Sequence, residues 1–505
     1  MPVSFNSLPS TLRLPLFWGE LDPSRAGTGT PYGRALVMGI RGSGAAPLLV
    51  PRRVASKVQA LEAAGRGSQG ADMLAKGWLV NNTFDEVWYL PLAEPSGGTA
   101  AANTATVTGP ATASGIIPLY IGGDYVPVAV VAGDSANTMA TKIAAAINAD
   151  LDLVVTAAAA TNVVTSTLRW KGSDGNDLDM RIGHRDEAMP AGVSVAVNAF
   201  TGGVGVPDVA AALAALADWP VYTFVLPWTD TASLDAFRDF MDYRGDVGRW
   251  SWAKQLFGRG ITFKSGTAGA LQTFGNARND PSVRCYGYRG SPTPPWRAAS
   301  QIAAVAHRSM LADPARPWHT LRVAGFLPAA VPQRFSSGEQ NALSYDGISC
   351  LQEEVDDVVS IKTSFTMYQR NAFGTDDDAM LKSQTLDTME YLLKSMRHRI
   401  ESKYGRHKLG NDGTRYGPGQ AILTPKVAKA EIGVSLYREW EHLGLVENAR
   451  AFIEHLIVER DPTNPNRLNV LFPPDVINQL DVFAVLAQFR LQYPDKLPER
   501  ALAIA

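Results

Sequence analysis

The sequence predicts a mixed α/β (α+β) chain of several domains, with a β-rich domain inserted into an α/β body and a strand-like arm at each end. Three observations carry this. At 505 residues the chain exceeds what one core usually holds, so two to four domains are expected. Apolar strands alternate with amphipathic helices in two separated stretches, the pattern of a sheet covered by helices. Between them the composition turns to Ala, Gly, Thr and Val, with short strands split by glycine turns.

Residues 1–25 read as an arm. Leu12, Leu14, Leu16 and Trp18 alternate with Thr11, Arg13, Pro15 and Phe17. Pro9 and Pro15 bar a central place in a ladder but suit an edge strand, on the chain's own sheet or on another copy's. Residues 26–94 and 208–333 together form the α/β body. Residues 35–40 are a buried strand ending in a glycine-rich turn. Residues 56–65 are a helix with a Ser cap and a Gly stop, and 86–92 are a strand. Residues 95–207 form the inserted β-rich domain, interrupted by one helix at 138–148. The α/β pattern then resumes, with a strand at 221–228, a helix capped at Thr231, and a long helix at 298–312 after a Pro-rich lead.

A last domain spans 334–480. It holds strands within 358–368, a long helix at about 379–404 opened by Asp376, Asp377 and Asp378, and two shorter helices broken at Gly444. Asp461-Pro462 and Asn464-Pro465 are turn chemistry, followed by a short strand at 468–472. From 481 to 505 the chain reads as a C-terminal strand and arm. Phe483, Val485, Phe489 and Leu491 share one face with period two over a length that requires a partner strand.

The chemistry-bearing residues form no recognisable constellation. The formal net charge is −2, so no bulk field attracts nucleic acid or an acidic membrane. Cys285 and Cys350 lack a disulfide-framework spacing and read as reduced core thiols, which suits a reducing compartment. The N-terminal residues lack the basic and apolar regions of a signal peptide, and no apolar run is long enough to span a bilayer. The loop 39–44 follows a strand, but no Gly-Lys-Ser/Thr ensues, so a tight turn is expected rather than a phosphate cradle. No two histidines stand three or four apart, and the 173–179 stretch lacks the order of a calcium loop. Neither cofactor nor metal is expected. One charged element stands out: between Lys382 and Lys408 there are seven basic and three acidic side chains, with the excess at the C-terminal end of the long helix. Complementation of the helix dipole explains such a pattern without any partner.

The wording of the chain resembles the tail sheath proteins of contractile bacteriophages, most closely the Mu-like branch. The resemblance is carried by "NARNDP" from Asn276, "GYRGSPTPPW" from Gly287, "ADPARP" from Ala312 and "YDGI" from Tyr345. It continues through "RHKL", "DGTR", "GPGQAI", "TPK", "REWE", "GLVE", "VERD" and "NPNRL" between Arg406 and Leu468. It runs over almost the whole length, and the order of the motifs is its strength. It implies a non-enzymatic structural protomer of the virion tail, assembled in the bacterial cytoplasm as a helical stack of six-subunit rings. The implied partners are other copies of itself, the tail tube protein, and the baseplate and tail terminator proteins, with no direct nucleic acid contact and no stable membrane insertion. It implies contraction from a metastable extended state, driving the tube through the host envelope during genome ejection. It tips the arms toward pairing between subunits through Leu12, Leu14, Leu16, Trp18, Phe483, Val485, Phe489 and Leu491. It makes Lys394, Arg397, Arg399, Lys403 and Arg406 candidates to face the tube, with the helix at 435–443 as a rival. It implies that the insert faces outward. A phage-like bacteriocin or secretion-device sheath and, from another class, an α/β hydrolase-type enzyme remain the alternatives.

Overall fold

The computed structural model describes residues 33–243 and 245–492. The expected N-terminal arm, with Leu12, Leu14, Leu16 and Trp18, lies outside them. An eight-stranded sheet organises the body. It is begun by β1 (Ala35–Ile40), β2 (Arg52–Val54) and β3 (Val87–Leu92). The chain leaves it for an insert of seven strands: β4 (Ala102–Thr108), β5 (Gly115–Ile121), β6 (Asp124–Val130), β7 (Val155–Ala160), β8 (Val163–Leu168), β9 (Met180–Ile182) and β10 (Ser194–Val197). It returns with β11 (Thr223–Val225), β12 (Arg259–Ser265), β13 (Val283–Tyr288), β14 (Ile348–Glu353) and β15 (Val359–Ile361).

The sheet order is β15-β14-β13-β12-β11-β1-β3-β2. Its interior pairings are all parallel, and only β15 and β2 on the edges are antiparallel. Every residue of β1 is buried, as for a strand covered on both faces. Helix Pro295–Ala312 packs on β11 and β12, with Pro295 at its first turn. Trp296, Ala299, Ile302, Ala303, Ala306 and Met310 are buried along it. It crosses the segment 73–78 so closely that a Cβ on Gly77 would stand 2.8 Å from the Ser300 side chain.

In the insert, β10-β4-β8-β7 and β6-β5-β9 form two antiparallel sheets. Helix Ala136–Ala149 is capped by Ser135, and it buries Met139, Ala140, Ile143 and Ile147 at helical spacing. The insert's two ends lie side by side, through antiparallel bridges Thr99–Val204 and Ala102–Thr201. This is the β-rich insert the composition shift predicts.

The expected boundary at 334 is displaced. β14 pairs in parallel with β13, Cys285 opposite Ile348, so residues 348–361 complete the body's sheet rather than open a new domain. The preceding Pro-rich stretch straps the sheet edge, with Val323 donating to the Val359 carbonyl and Thr320 to that of Ile361. Core packing continues to Met367. A second core then forms from Leu392, Ile432, Leu436, Tyr437, Trp440 and Phe452. Helix Ser383–Tyr404 starts several residues after Asp376, Asp377 and Asp378, which lie in the preceding loop. There Asp377 accepts from the Tyr368 hydroxyl and the Ala379 N–H. The helix after Thr424 runs through a π turn (Glu431–Leu436) to His442, and Gly444 ends it at φ 70°. Asp230, not Thr231, caps helix Thr231–Met241, because its carboxylate accepts from the Ser233 N–H. Two short parallel strands, β16 (Lys408–Leu409) and β17 (Ile422–Leu423), precede the antiparallel hairpin of β18 (Ile457–Arg460) and β19 (Leu468–Leu471).

Candidate functional site: two buried joints and an unpaired tail

The glycine-rich turn after β1 meets the wrong end of a helix for an anion. Gly42 donates to the Ala64 carbonyl, Ala45 to that of Glu62 and Ala46 to that of Ala63, so these N–H groups cap the C-terminus of helix Lys57–Ala64. His307 is a buried structural histidine. Its Nε2–H donates to the Gly33 carbonyl at 3.1 Å, and Nδ1 meets Thr223 Oγ1 at 2.9 Å. Burial pushes its pKa down to about 4. Cys285 and Cys350 are free and buried on the adjacent strands β13 and β14. Among the described residues no group of His, Cys, Asp and Glu could hold a metal ion, and no helix is long and apolar enough to cross a membrane.

The polar chemistry of the chain is concentrated at two joints. The first ties the insert to the body. Arg297 forks onto Asp72 at 2.5 and 2.9 Å. It also donates to the Gly122 carbonyl at 2.7 Å and to Asp124 at 2.9 Å, both from the insert. Lys76 reaches Asp124 at 2.6 Å, and the Trp296 indole N–H donates to Asp72. Burial disfavours the Arg297 charge, but the Asp72 and Asp124 carboxylates outweigh it and hold the pKa above its ordinary value. Beside this cluster, Asp174 accepts from Gln69 at 2.6 Å and from Trp170 at 3.1 Å, while its other oxygen is buried without a partner. Burial raises the Asp174 pKa to about 6.

The second joint ties the body to helix Ser383–Tyr404. Arg259 on β12 pairs with Asp387 at 2.8 Å and with Glu390. Arg284 on β13 reaches Asp387 at 3.3 Å. Lys394 pairs with Glu390 and lies over the Tyr222 ring. Burial pushes the Lys394 pKa down to about 8, with Glu390 opposing. Removing one member of such a buried group strands the others, at about 3–5 kcal/mol. These contacts therefore fix the angle between the bodies.

The candidate tube-facing residues separate here. Lys394 is turned into the joint, which removes it from any outer surface. Arg399 pairs with Glu431 and Glu439, Lys403 pairs with Glu431, and Arg397 pairs with Glu401 one turn on. Arg406 is exposed. Glu431 and Glu439 on the helix that follows thus offset half of the positive excess counted along the helix. On the rival helix, Tyr437 and Trp440 face inward, the Trp440 indole donating to Ser395 Oγ at 3.0 Å.

The C-terminal segment 482–492 enters no ladder. Phe483, Val485, Phe489 and Leu491 are 81%, 71%, 88% and 98% exposed. The period-two pattern is present without the strand it predicts, because no neighbour strand lies beside it among the described residues. The β18–β19 hairpin has no further strand on either edge among the described residues, and it exposes Ile457, Val470 and Leu471.

Comparison with known proteins bears on this arrangement. A family model described as the phage tail sheath protein central domain matches residues 202–367, and one described as the phage tail sheath C-terminal domain matches 375–490. The Mu-like prophage FluMu tail sheath protein of Haemophilus influenzae is 38% identical over 496 residues, 97% of this chain and 100% of that protein. Among solved structures, the sheath tail protein of Desulfitobacterium hafniense is 13% identical with a TM-score of 0.46, covering 92% of this chain and 100% of that one. A chain of the anti-feeding prophage baseplate in its contracted state is 12% identical with a TM-score of 0.47, covering 96% and 100%. At those scores the structural likenesses carry no argument; the sequence matches do.

Proposed function

Because the chain belongs to the phage tail sheath family, in its Mu-like branch, we propose that it does its work as a contractile sheath protomer through the unpaired tail and the two rigid joints. The protomer polymerises helically around a tail tube, in stacked rings of six, and contracts from a metastable extended state to drive the tube into the host during genome ejection. Assembly takes place in the bacterial cytoplasm, with the baseplate and a terminator at the two ends. The role is structural rather than catalytic.

The observation that supports this reading most is the exposed apolar tail. Among the described residues four large side chains at period two stay exposed, while the β18–β19 hairpin offers open edges. A strand supplied by one copy to another's hairpin is β-augmentation, and a contact between different faces of identical copies generates a helix. Burying the four side chains is worth roughly 6–12 kcal/mol as an upper estimate. Lost motional freedom and arm ordering offset several kcal/mol of that, so each link is modest and repetition along the array supplies the strength. The N-terminal stripe of Leu12, Leu14, Leu16 and Trp18 has the same pattern and takes the same role.

The test is electron microscopy of the purified protein, looking for tubes, alongside a chain lacking residues 1–20. The shortened chain is expected to remain a folded, soluble protomer and to form no tubes. Normal assembly, or loss of the thermal transition, would show that the arm is an internal strand.

For the tube, the C-terminal end of helix Ser383–Tyr404 remains the favoured face, reduced to Arg397 and Arg406 with Arg399 and Lys403 held by Glu431. Reversing Arg397 and Arg406 to Glu should weaken assembly on tubes and spare tube-free polymers. Unchanged templated assembly at physiological salt would leave the helix with dipole complementation only.

A further inference from the structure

The tail is free only beyond one residue. Before it, the chain is strapped to the second core. Val476 bridges Val446, the Glu447 N–H donates to the Asp475 carbonyl at 2.9 Å, and the Ile477 N–H donates to the Leu445 carbonyl at 3.2 Å. Gln479 Nε2 donates to the Ala315 carbonyl at 3.4 Å. Asp481 follows. One of its carboxylate oxygens accepts from His319 Nε2 at 3.0 Å, and the other pairs with Lys382. His319 is itself fixed, its Nδ1 meeting the Lys362 carbonyl at 2.5 Å, and Lys382 lies over the Phe365 ring. A neutral imidazole donates to one of its two acceptors, a protonated one to both. From 482 to 492 no hydrogen bond to the rest of the protomer is made among the described residues.

We propose that Asp481 is the clasp that fixes where, and in which direction, the C-terminal arm leaves the protomer, with His319 and Lys382 as its positioning partners. The inference rests on the reading of that arm as an inter-subunit link. Three elements meet at one carboxylate. His319 comes from the strap on the sheet edge, Lys382 from the start of helix Ser383–Tyr404, and Asp481 from the root of the tail. The side chains are about one-third exposed, so the pairs contribute little to folding stability. Their value is geometric. A clasped root confines the search of the first arm residues and points Phe483 and Val485 the same way in every copy. Preorganisation of this kind acts on association rather than on the fold. A helical array also needs one exit direction in all subunits, because angular scatter at the root accumulates along the polymer.

The experiment uses the full chain with Asp481→Ala and Asp481→Glu, and a chain ending at Asp481. Tube growth is followed by light scattering, helical order by cryo-electron microscopy, and amide exchange at 478–482 in the unassembled protomer. Asp481→Ala should keep the thermal transition and raise exchange at the root. It should slow tube growth about tenfold and broaden the helical twist, the scale on which ordering one short segment alters association. Asp481→Glu, which can still reach both partners, should recover most of the rate. If Asp481→Ala grows ordered tubes at the unaltered rate while the chain ending at Asp481 grows none, the clasp is overturned and the arm stands. If the chain ending at Asp481 assembles normally, the arm reading fails and takes the clasp with it. Should Asp481→Ala not fold, Lys382→Gln removes one prong only. Intermediate slowing then supports the clasp, and an unaltered rate overturns it.

Discussion

Asp174 shows how a single buried group connects folding to pH. Its carboxyl sits at the seam between insert and body, with one oxygen unpartnered, and burial lifts its pKa from the ordinary 3.8 to about 6. A raised carboxyl pKa means that the folded state holds the proton more tightly than the unfolded one. Stability therefore falls as pH rises from about 4 to about 6, and above that the ionised form carries the whole cost. Asp174→Asn keeps an acceptor for Gln69 and Trp170 without the charge. It should raise the melting temperature by about 2–5 °C at pH 7 and by nothing below pH 4. A gain that is equal at both pH values would mean that packing, not ionisation, is responsible. Residues of this kind were poorly legible in the sequence. Across the stretch 173–179 nothing local marks Asp174 as buried. The basic helix end misled for a related reason. Glu431 and Glu439, which neutralise Arg399 and Lys403, stand about thirty to forty positions away, and a count along one helix does not include them.

Elements with local signals were legible. β1 is apolar throughout, helix Ala136–Ala149 carries its cap and its apolar stripe, and the insert announces itself by composition. What failed depended on pairing at a distance. β14 is assigned to the body only by its parallel register with β13, some sixty residues earlier, and the Pro-rich strap between them resembles a linker. The insert itself offers a direct test of its independence. Its ends lie side by side at Thr99–Val204, so a short Gly-Ser linker can replace residues 99–204 without stretching the body. Asp72 and Arg297 then keep each other as partners, while Lys76 gains solvent in place of Asp124. The shortened chain should fold and still form tubes, because the proposed links lie in the termini and the hairpin. Loss of tubes from a folded chain would place the insert in the subunit contacts and end its assignment to the periphery.

At the scale of the whole molecule, the two joints decide what can move when a sheath contracts. A hinge needs a place where few contacts cross, yet both seams of this protomer are crossed by buried charges. Arg297 grips Asp72 and Asp124 at one, and Arg259 and Arg284 grip Asp387 at the other. Opening the second seam strands buried charge on both sides, at about 3–5 kcal/mol per site, and opening the first takes from Arg297 its Asp124 and Gly122 contacts while leaving it Asp72, costs repeated in every subunit. Among the described residues the tail beyond Asp481 makes no such contacts, so reorienting it costs far less. Contraction is therefore expected to move residues 33–480 as one rigid body and to concentrate the backbone change in the arms. Cryo-electron microscopy of extended and contracted tubes measures this directly. Superposition of residues 33–480 between the states should leave deviations of about 1 Å or less, the range of rigid association. A rotation of the insert or of helix Ser383–Tyr404 against the eight-stranded sheet would show that a seam opens. Weakening that seam, as with Arg259→Met, should in that case alter contraction; in a rigid protomer the same change lowers the melting temperature and leaves the contracted geometry as it was.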